Sequence, residues 1–463
     1  MSAPQATLGS MKSDGSRLRV HPADVKGRFN TWRRVVFGAL IAFYVAAPFI
    51  PVRGHPMIQL DVQHRRFYFF GQTFNAQDFW LILLLTLSFV FGLLAFTAWR
   101  GRVWCGWACP QTVFLEGVYR PIERWFDGSR EARVRLDAQR SSFSKVARRV
   151  ARFVVYLVVS AAIAHTATAL FVSPKELWLM LSDGPAAHME AFLLTLGFTV
   201  VLQFNFWWFR EQFCVVLCPY GRLQSVLHDR DSITVAYDEQ RGEPRGKVGQ
   251  TTGDCIDCKR CVVVCPTGID IRNGLQMECL ACTACVDACD DVMDKVHRPR
   301  GLIRFASQRE LSRREGQPVA APTTPERKTL RPRVLVYGLL MLVSVGVLLV
   351  ALAQRAPFEA NVVRARGAMP YFIEGERVTN AFEVHLFNKQ PDASKFSLSV
   401  RAPDGAQVVV GTPSLELASL TDARVPVSVS MPKAQATGVH LTLEVKDETT
   451  GAVREVPVRF LAP

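Results

Sequence analysis

Cysteine is missing from both ends of this 463-residue chain: all twelve lie between Cys105 and Cys289, and residues 357–463 have none. That distribution excludes a disulfide-stapled secreted scaffold, whose thiols would run through the exported module. Nucleotide fingerprints are missing as well. There is no G-x-G-x-x-G and no G-x-x-x-x-G-K-[ST] stretch, so no dinucleotide or P-loop site is written here. The absence of C-x-x-C-H argues against covalent haem. Acidic residues are the scarcer charge, with 41 Asp and Glu against 55 Lys and Arg, a net +14.

Apolar residues are plentiful instead. They make up 49% of the chain, and mean hydropathy is +0.13, too apolar for an ordinary soluble enzyme so rich in arginine. Five segments approach the roughly 20 apolar residues that cross a bilayer: Val35–Ile50, Phe79–Trp99, Phe153–Val172, Met189–Phe209 and Val334–Ala353. The first is short and ends among prolines, and reads as an uncleaved signal anchor. Arg100–Arg152 carries 12 Lys and Arg against 5 Asp and Glu, whereas Ser173–Ala187 has one Lys and no Arg. By the positive-inside rule the N-terminus, the basic loop and residues 210–332 face the cytoplasm, and the C-terminus faces outward. The basic balance is therefore read as topology rather than as nucleic-acid binding. Arg53, Arg65 and Arg66 are the dissonance, and their loop (HRRFYFF) is expected to lie on the membrane surface.

Residues 1–30 are polar and expected to be disordered, and 306–332, around PVAAPTTPERK, read as a linker. Beyond the fifth span the pattern changes to period two, in FEVHLF, FSLSV, VPVSVSM and VHLTLEV. VHLTLEV and REVPVRFL around DETTGAV read as a hairpin. Several short strands in residues 357–463 predict an immunoglobulin-like β-sandwich, another small all-β module being the alternative. The fold class is thus a multi-domain membrane protein. Its expected parts are a helical transmembrane bundle of about five spans (31–210 and 333–354), a cytoplasmic two-cluster ferredoxin-like domain (211–305) and an all-β outer domain.

The ferredoxin reading rests on spacing. CIDCKRCVVVCP (255–266) and CLACTACVDACD (279–290) each follow C-x2-C-x2-C-x3-C, the run that binds a four-iron cluster. Three cysteines wrap one cube and the fourth crosses to the other. Expected ligands are Cys255, Cys258, Cys261 and Cys289 for one [4Fe–4S] cluster, and Cys279, Cys282, Cys285 and Cys265 for the second. Zinc is the competing occupant of thiolate quartets, but eight cysteines in doubled spacing weigh against it. Asp290 replaces the second proline of the pattern.

CGWACP (105–110) and CVVLCP (214–219) each follow an apolar span. Residues four apart share a helical face, and Pro110 and Pro219 suit the first turn of a new helix. Cys109 and Cys218 would then sit at helix N-termini, where a thiol's pKa falls. Repetition at equivalent places predicts that Cys105, Cys109, Cys214 and Cys218 converge, and soft thiolates select Cu(I), zinc or iron–sulfur centres. The competing reading is four inert apolar residues. His165 and His188 lack a haem-ligating partner and stay outside the site.

WCGWACPQTVFLEG, FREQFCVVLCPYGRLQ, CPTGIDIRNGLQMECLACTACVDACD and VMDKVHRPRGLIRF resemble the cytochrome c oxidase accessory family CcoG, also called FixG or RdxA, from about Arg33 onward. The doubled C-x3-C-P is more distantly similar to the NapH and NosR membrane electron-transfer proteins. The resemblance implies a cupric reductase for assembly of cbb-type oxidase. In it two [4Fe–4S] clusters feed Cys105, Cys109, Cys214 and Cys218, with copper as substrate or transient ligand. It implies a bacterial inner membrane, and as partners a copper transporter, copper chaperones and an electron donor that is a protein or quinol. Membrane lipid is a further expected partner, as is a second copy of the chain, and nucleic acid is not. A NapH-like quinol-linked carrier and a non-catalytic assembly scaffold are the alternatives.

Overall fold

The computed structural model describes residues 19–63, 66–75, 78–247, 253–312, 331–365, 369–390 and 392–463. The chain divides into two compact units, one holding the bundle and the cysteine-rich segment, the other residues 66–77 and 348–463.

In the first unit, four helices are long and apolar enough to cross a membrane: α2 (Phe79–Arg100), α6 (Phe143–Ala169), α7 (Met189–Phe204, prolonged by a wide turn to Phe209) and α11 (Pro332–Ala353). Helix α1 (Arg28–Ala46) fails that test, which corrects the expectation of five apolar spans. Its first turns carry Arg28, Arg33 and Arg34, so the apolar part is too short by itself. Yet 19 residues reach about 28 Å, and the two ends of α1 lie at opposite ends of the bundle. Phe29 and Asn30 backbone N–H groups donate to Asp287 of the cysteine-rich segment at 3.2 and 2.7 Å. Past its other end, the Leu60 N–H donates to the Leu170 carbonyl, just beyond α6, at 2.6 Å.

Short helices follow the spans: α3 (Val103–Trp107), α4 (Pro110–Phe114) running through a wide turn into α5 (Arg120–Asp127), and α8 (Pro219–Leu227). The ferredoxin-like part is bracketed by an antiparallel pair, β1 (Thr234–Tyr237) with β2 (Ile303–Ala306). Its loops end in α9 (Arg260–Val263) and α10 (Ala284–Lys295). Val235, Ile271, Val286, Met293, Leu302 and Ile303 form the core beneath the cysteines.

Residues 19–27, expected to be disordered, are instead a strap. Ala23 N–H donates to Val263 O at 2.9 Å, Arg133 to Pro22 O at 2.8 Å, and His21 meets Asp137 at 2.8 Å. Polar composition misled because the strap is held by backbone and ionic partners and by Val25, which is buried against Val264 and Ala284. Residues 1–18, and 313–330 of the expected linker, lie outside the described residues; 308–312 are helical and α11 begins at Pro332.

The second unit is a two-sheet sandwich. Its strands are β3 (Phe358–Arg364), β4 (Phe372–Glu374), β5 (Arg377–Asn388), β6 (Ser394–Arg401), β7 (Gln407–Val410), β8 (Ser414–Leu417), β9 (Asp422–Pro432), β10 (His440–Asp447) and β11 (Val453–Arg459). One sheet has the order β7-β9-β5-β3 with β4 beside β5, the other β8-β6-β10-β11. Strand β5 alternates buried and half-buried residues along its whole length, as period-two side chains demand. Phe358 and Phe396 meet edge to face across the sheets at 5.3 Å. The expected terminal hairpin pairs His440 with Arg459 through Lys446 with Val453. The segment expected on a membrane surface is a hairpin, Arg66–Phe69 with Gln72–Asn75, and Arg66 ties it to this sandwich through the Leu420 carbonyl at 2.8 Å.

Candidate redox centre

Each ferredoxin loop carries left-handed residues at matching places. Asp257 and Lys259 flank Cys258, and Ala281 and Thr283 flank Cys282, with φ of 50°, 54°, 51° and 64°. Non-glycine residues rarely adopt this region, and a β-branched one such as Thr283 least of all. The reversals fold three cysteines around one point and let a helix start at once, placing Cys261 and Cys285 in the first turns of α9 and α10. Cys289 lies within electrostatic reach of Cys261, Cys258 and Cys255. Cys285 lies within reach of Cys282, Cys279 and Cys265, and of Cys261 as well.

The donor set fits iron–sulfur clusters. A small cavity is walled by Cys261, Cys265, Cys279, Cys282 and Cys285 with Ile271. The Ala281 N–H points to Cys279 Sγ at 3.4 Å, and the Thr267 hydroxyl lies 3.4 Å from Cys265 Sγ. Such contacts to sulfur help set a cluster's potential.

The two C-x3-C-P stretches have the same local structure. Each closes with a wide backbone hydrogen bond, Cys109 N–H to Trp104 O at 2.9 Å and Cys218 N–H to Phe213 O at 2.8 Å. Cys109 and Cys218 are extended N-caps, and Pro110 and Pro219 open α4 and α8. Upstream, Gly101 (φ 63°) and Arg210 (φ 51°) occupy equivalent positions and turn the chain alike. The repeats are stitched together crosswise. Arg102 donates to Gln224 Oε1 at 2.6 Å and to Gly221 O at 2.8 Å, and Gln111 donates to Arg210 O at 3.1 Å. Cys214 comes within electrostatic reach of Cys109, Cys105 and Cys218. Gln224 Nε2 donates to Cys105 Sγ at 3.5 Å.

This quartet abuts the second cluster loop. A β-carbon on Gly106 would stand 2.5 Å from the Leu280 carbonyl and 2.9 Å from Cys282 Cα, so only glycine permits the approach. Arg33 holds the Gly106 carbonyl from the other side at 2.8 Å.

The lowered pKa expected of Cys109 is not what the fold gives. Burial pushes Cys105 up to about 11 despite Arg102, and it also raises Cys214. Cys109 is raised by burial although the Gln111 and Thr112 N–H groups at the start of α4 oppose this. Desolvation of a charged sulfur outweighs one helix terminus here. Among the described residues no three His, Cys, Asp or Glu side chains are grouped to hold a metal ion. Neither the four C-x3-C-P cysteines nor the ferredoxin cysteines form such a group, and thiolates around a four-iron cube stand farther apart than those around one ion.

Sequence reasoning missed the buried charges beneath the quartet. Glu123, 1% exposed, takes two hydrogen bonds from Arg210 at 3.2 and 2.8 Å and has Arg152 at 3.6 Å and Arg133 at 3.8 Å. Arg120 pairs with Glu211 and Glu116 and donates to the Pro266 carbonyl, next to Cys265, at 3.2 Å. Burial alone would raise the Glu123 carboxyl, but Arg210 and its neighbours hold it well below the usual carboxylate range. The available signal was charge inside apolar, aromatic surroundings, as in FREQF and PIERWF.

A 4Fe–4S dicluster domain family matches residues 209–308, a 4Fe–4S binding domain family matches 82–129, and the IG-like fold at the C-terminal of FixG matches 348–463. The chain is 35% identical to protein RdxB of Cereibacter sphaeroides over 97% of each chain. It is 35% identical to protein RdxA of the same organism over 96% of this chain and 93% of the relative. Nitrogen fixation protein FixG of Rhizobium meliloti is 34% identical over 85% and 81%.

Proposed function

This chain belongs to the RdxA/FixG family of membrane iron–sulfur proteins, and on that premise we propose that it reduces Cu(II) to Cu(I) at Cys105, Cys109, Cys214 and Cys218. The observation that supports this reading best is the contact of Gly106 with Cys282, which sets a soft-donor quartet against a cluster-binding loop.

Two bound [4Fe–4S] clusters supply electrons singly, matching the one electron that Cu(II) takes. The residues around the quartet do the rest. Gln224 and the start of α4 offer N–H groups to Cys105 and Cys109, and Arg102 lends positive charge beside Cys105. With burial raising their pKa values the thiols rest protonated, so arriving copper displaces protons as it binds. Thiolates favour the reduced ion, and the buried wall limits water at that ion.

The assembly of cbb-type oxidase, the copper transporter and chaperones, a second copy of the chain, and the cytoplasmic placement of the cysteines with an outward β-domain all belong to this proposal. The positive-inside asymmetry supports the orientation.

The test replaces Cys105, Cys109, Cys214 and Cys218 with Ser. The purified protein is reduced anaerobically, freed of reductant and given Cu(II) with a Cu(I)-specific chelator. Cluster absorbance is expected to persist while Cu(I) formation disappears. Loss of cluster absorbance in that variant, or unchanged copper reduction, would sink the separate roles. Wild-type clusters that stay reduced while no Cu(I) appears would favour a quinol-linked carrier or a scaffold.

A further inference from the structure

A cavity of about 420 Å³ lies between α1, the α4–α5 segment and the ferredoxin loops, within the usual range for small-molecule sites. Its character changes along its length. Phe37, Gly38 and Ile41 of α1 make one end apolar, whereas Arg33, Arg34, Arg120 and Glu116 make the other polar. The inner wall is Val264, Pro266 and Ala284, the chain neighbours of Cys265 and Cys285, two sulfurs of a single cluster set. Two arginines on the wall, though otherwise paired, keep an unpaired N–H. Arg33 and Arg120 are 5% and 3% exposed, and Arg33 Nη2 and Arg120 Nε have no hydrogen-bond partner among the described residues. Leaving such a buried donor unpaired is costly, so a ligand oxygen is favoured there.

We propose that this cavity seats the ring of a membrane quinol, which is the electron donor to the cluster set of Cys265, Cys279, Cys282 and Cys285. The inference rests on the reductase reading and names its reductant. Ring oxygens would accept from Arg33 and Arg120, and the ring and tail would lie on Phe37, Gly38 and Ile41. The apolar tail would follow a helix that runs the length of the bundle. A phosphate could satisfy the arginines, but nothing would tie it to a wall made by the neighbours of two cluster cysteines. The balance closes. The hydroquinone loses two electrons and two protons to become the quinone, one electron passing to each of the two clusters. The protons leave through the Glu116 carboxylate, whose side chain is 18% exposed. Arg33 near Cys282 and Arg102 near Cys279 raise the local potential and ease reduction.

The cavity can be filled without disturbing its frame. A β-carbon on Gly38 meets nothing within 4 Å, and leucine suits a helix better than glycine. Full-length, cluster-loaded Gly38→Leu and wild type are mixed anaerobically with a short-chain ubiquinol, and cluster bleaching is followed. A second readout is photolabelling by an azidoquinone, mapped by mass spectrometry. Wild-type clusters are expected to bleach with quinol, and Gly38→Leu to bleach at least roughly tenfold more slowly. Dithionite should reduce both alike, and the label should fall on residues 33–41 of wild type only. Equal quinol rates, no quinol reduction in wild type, or labelling displaced by phosphatidylglycerol vesicles while clusters stay oxidised would overturn the quinol site. Copper reduction by dithionite-reduced protein in that event leaves the reductase reading standing, whereas its loss removes both.

Discussion

Gly106, one residue past Cys105, lies so close to Cys282 that one of its α-hydrogens faces the Leu280 carbonyl and the Cys282 backbone. Gly106 and Cys282 are more than 170 residues apart in sequence, and through them the two cysteine systems share a backbone contact rather than a loose interface.

Replacing Gly106 with Ala should pry them apart. The added carbon would fall 2.5 Å from the Leu280 carbonyl, and overpacking of this kind costs about 1–3 kcal/mol. Cluster absorbance should persist at wild-type stoichiometry while copper reduction slows, measured with the anaerobic chelator assay. Unchanged reduction would show that electrons do not pass at this contact.

Glu123 should matter for stability rather than for chemistry. It faces Arg210, Arg152 and Arg133 in a buried setting, and removing one partner of a buried pair costs about 3–5 kcal/mol. Glu123→Ala should lower the unfolding midpoint in detergent strongly, and Glu123→Gln, which keeps the shape and a hydrogen bond, by less. Arg210 keeps its positive φ because this carboxylate anchors its side chain. A fall under about 1 kcal/mol in the alanine variant would contradict the network's structural role.

His228 gives a pH signature. Burial and then the Arg102 charge lower its pKa against the opposing pull of Asp229, and its Nε2 has no hydrogen-bond partner among the described residues. A histidine with a depressed folded pKa binds its proton more readily when unfolded. Stability is thus complete above the ordinary histidine range and falls as the pH drops into and below it. Thermal midpoints measured from pH 7.5 to 5.5 should fall less in His228→Gln than in wild type. Parallel curves would exclude His228 as the source.

Part of this molecule was legible residue by residue. The doubled C-x2-C-x2-C-x3-C marked the cluster-binding segment because three cysteines so spaced can wrap one face of a cube. Pro110 and Pro219 marked helix starts because proline lacks the N–H that a first turn does not need. Period-two alternation exposed the sandwich strands. The span expected over Val35–Ile50 is a helix over Arg28–Ala46, since arginine is a good helix former and carries the helix beyond the apolar stretch. The thiol pKa values also ran against local expectation, because burial is set by what packs around a sulfur and no spacing encodes it.

The sequence by itself thus determined which side chains exist to ligate, where helices begin and which strands alternate, all of which are short-range consequences of covalent geometry. Only the tertiary structure decided that Gly106 touches Cys282, that seven charged side chains gather beneath the quartet, and that α1 and the ferredoxin loops enclose a cavity. Those are contacts between distant segments. They depend on complementary shape and on the low dielectric of a packed interior, neither of which is written in any local pattern.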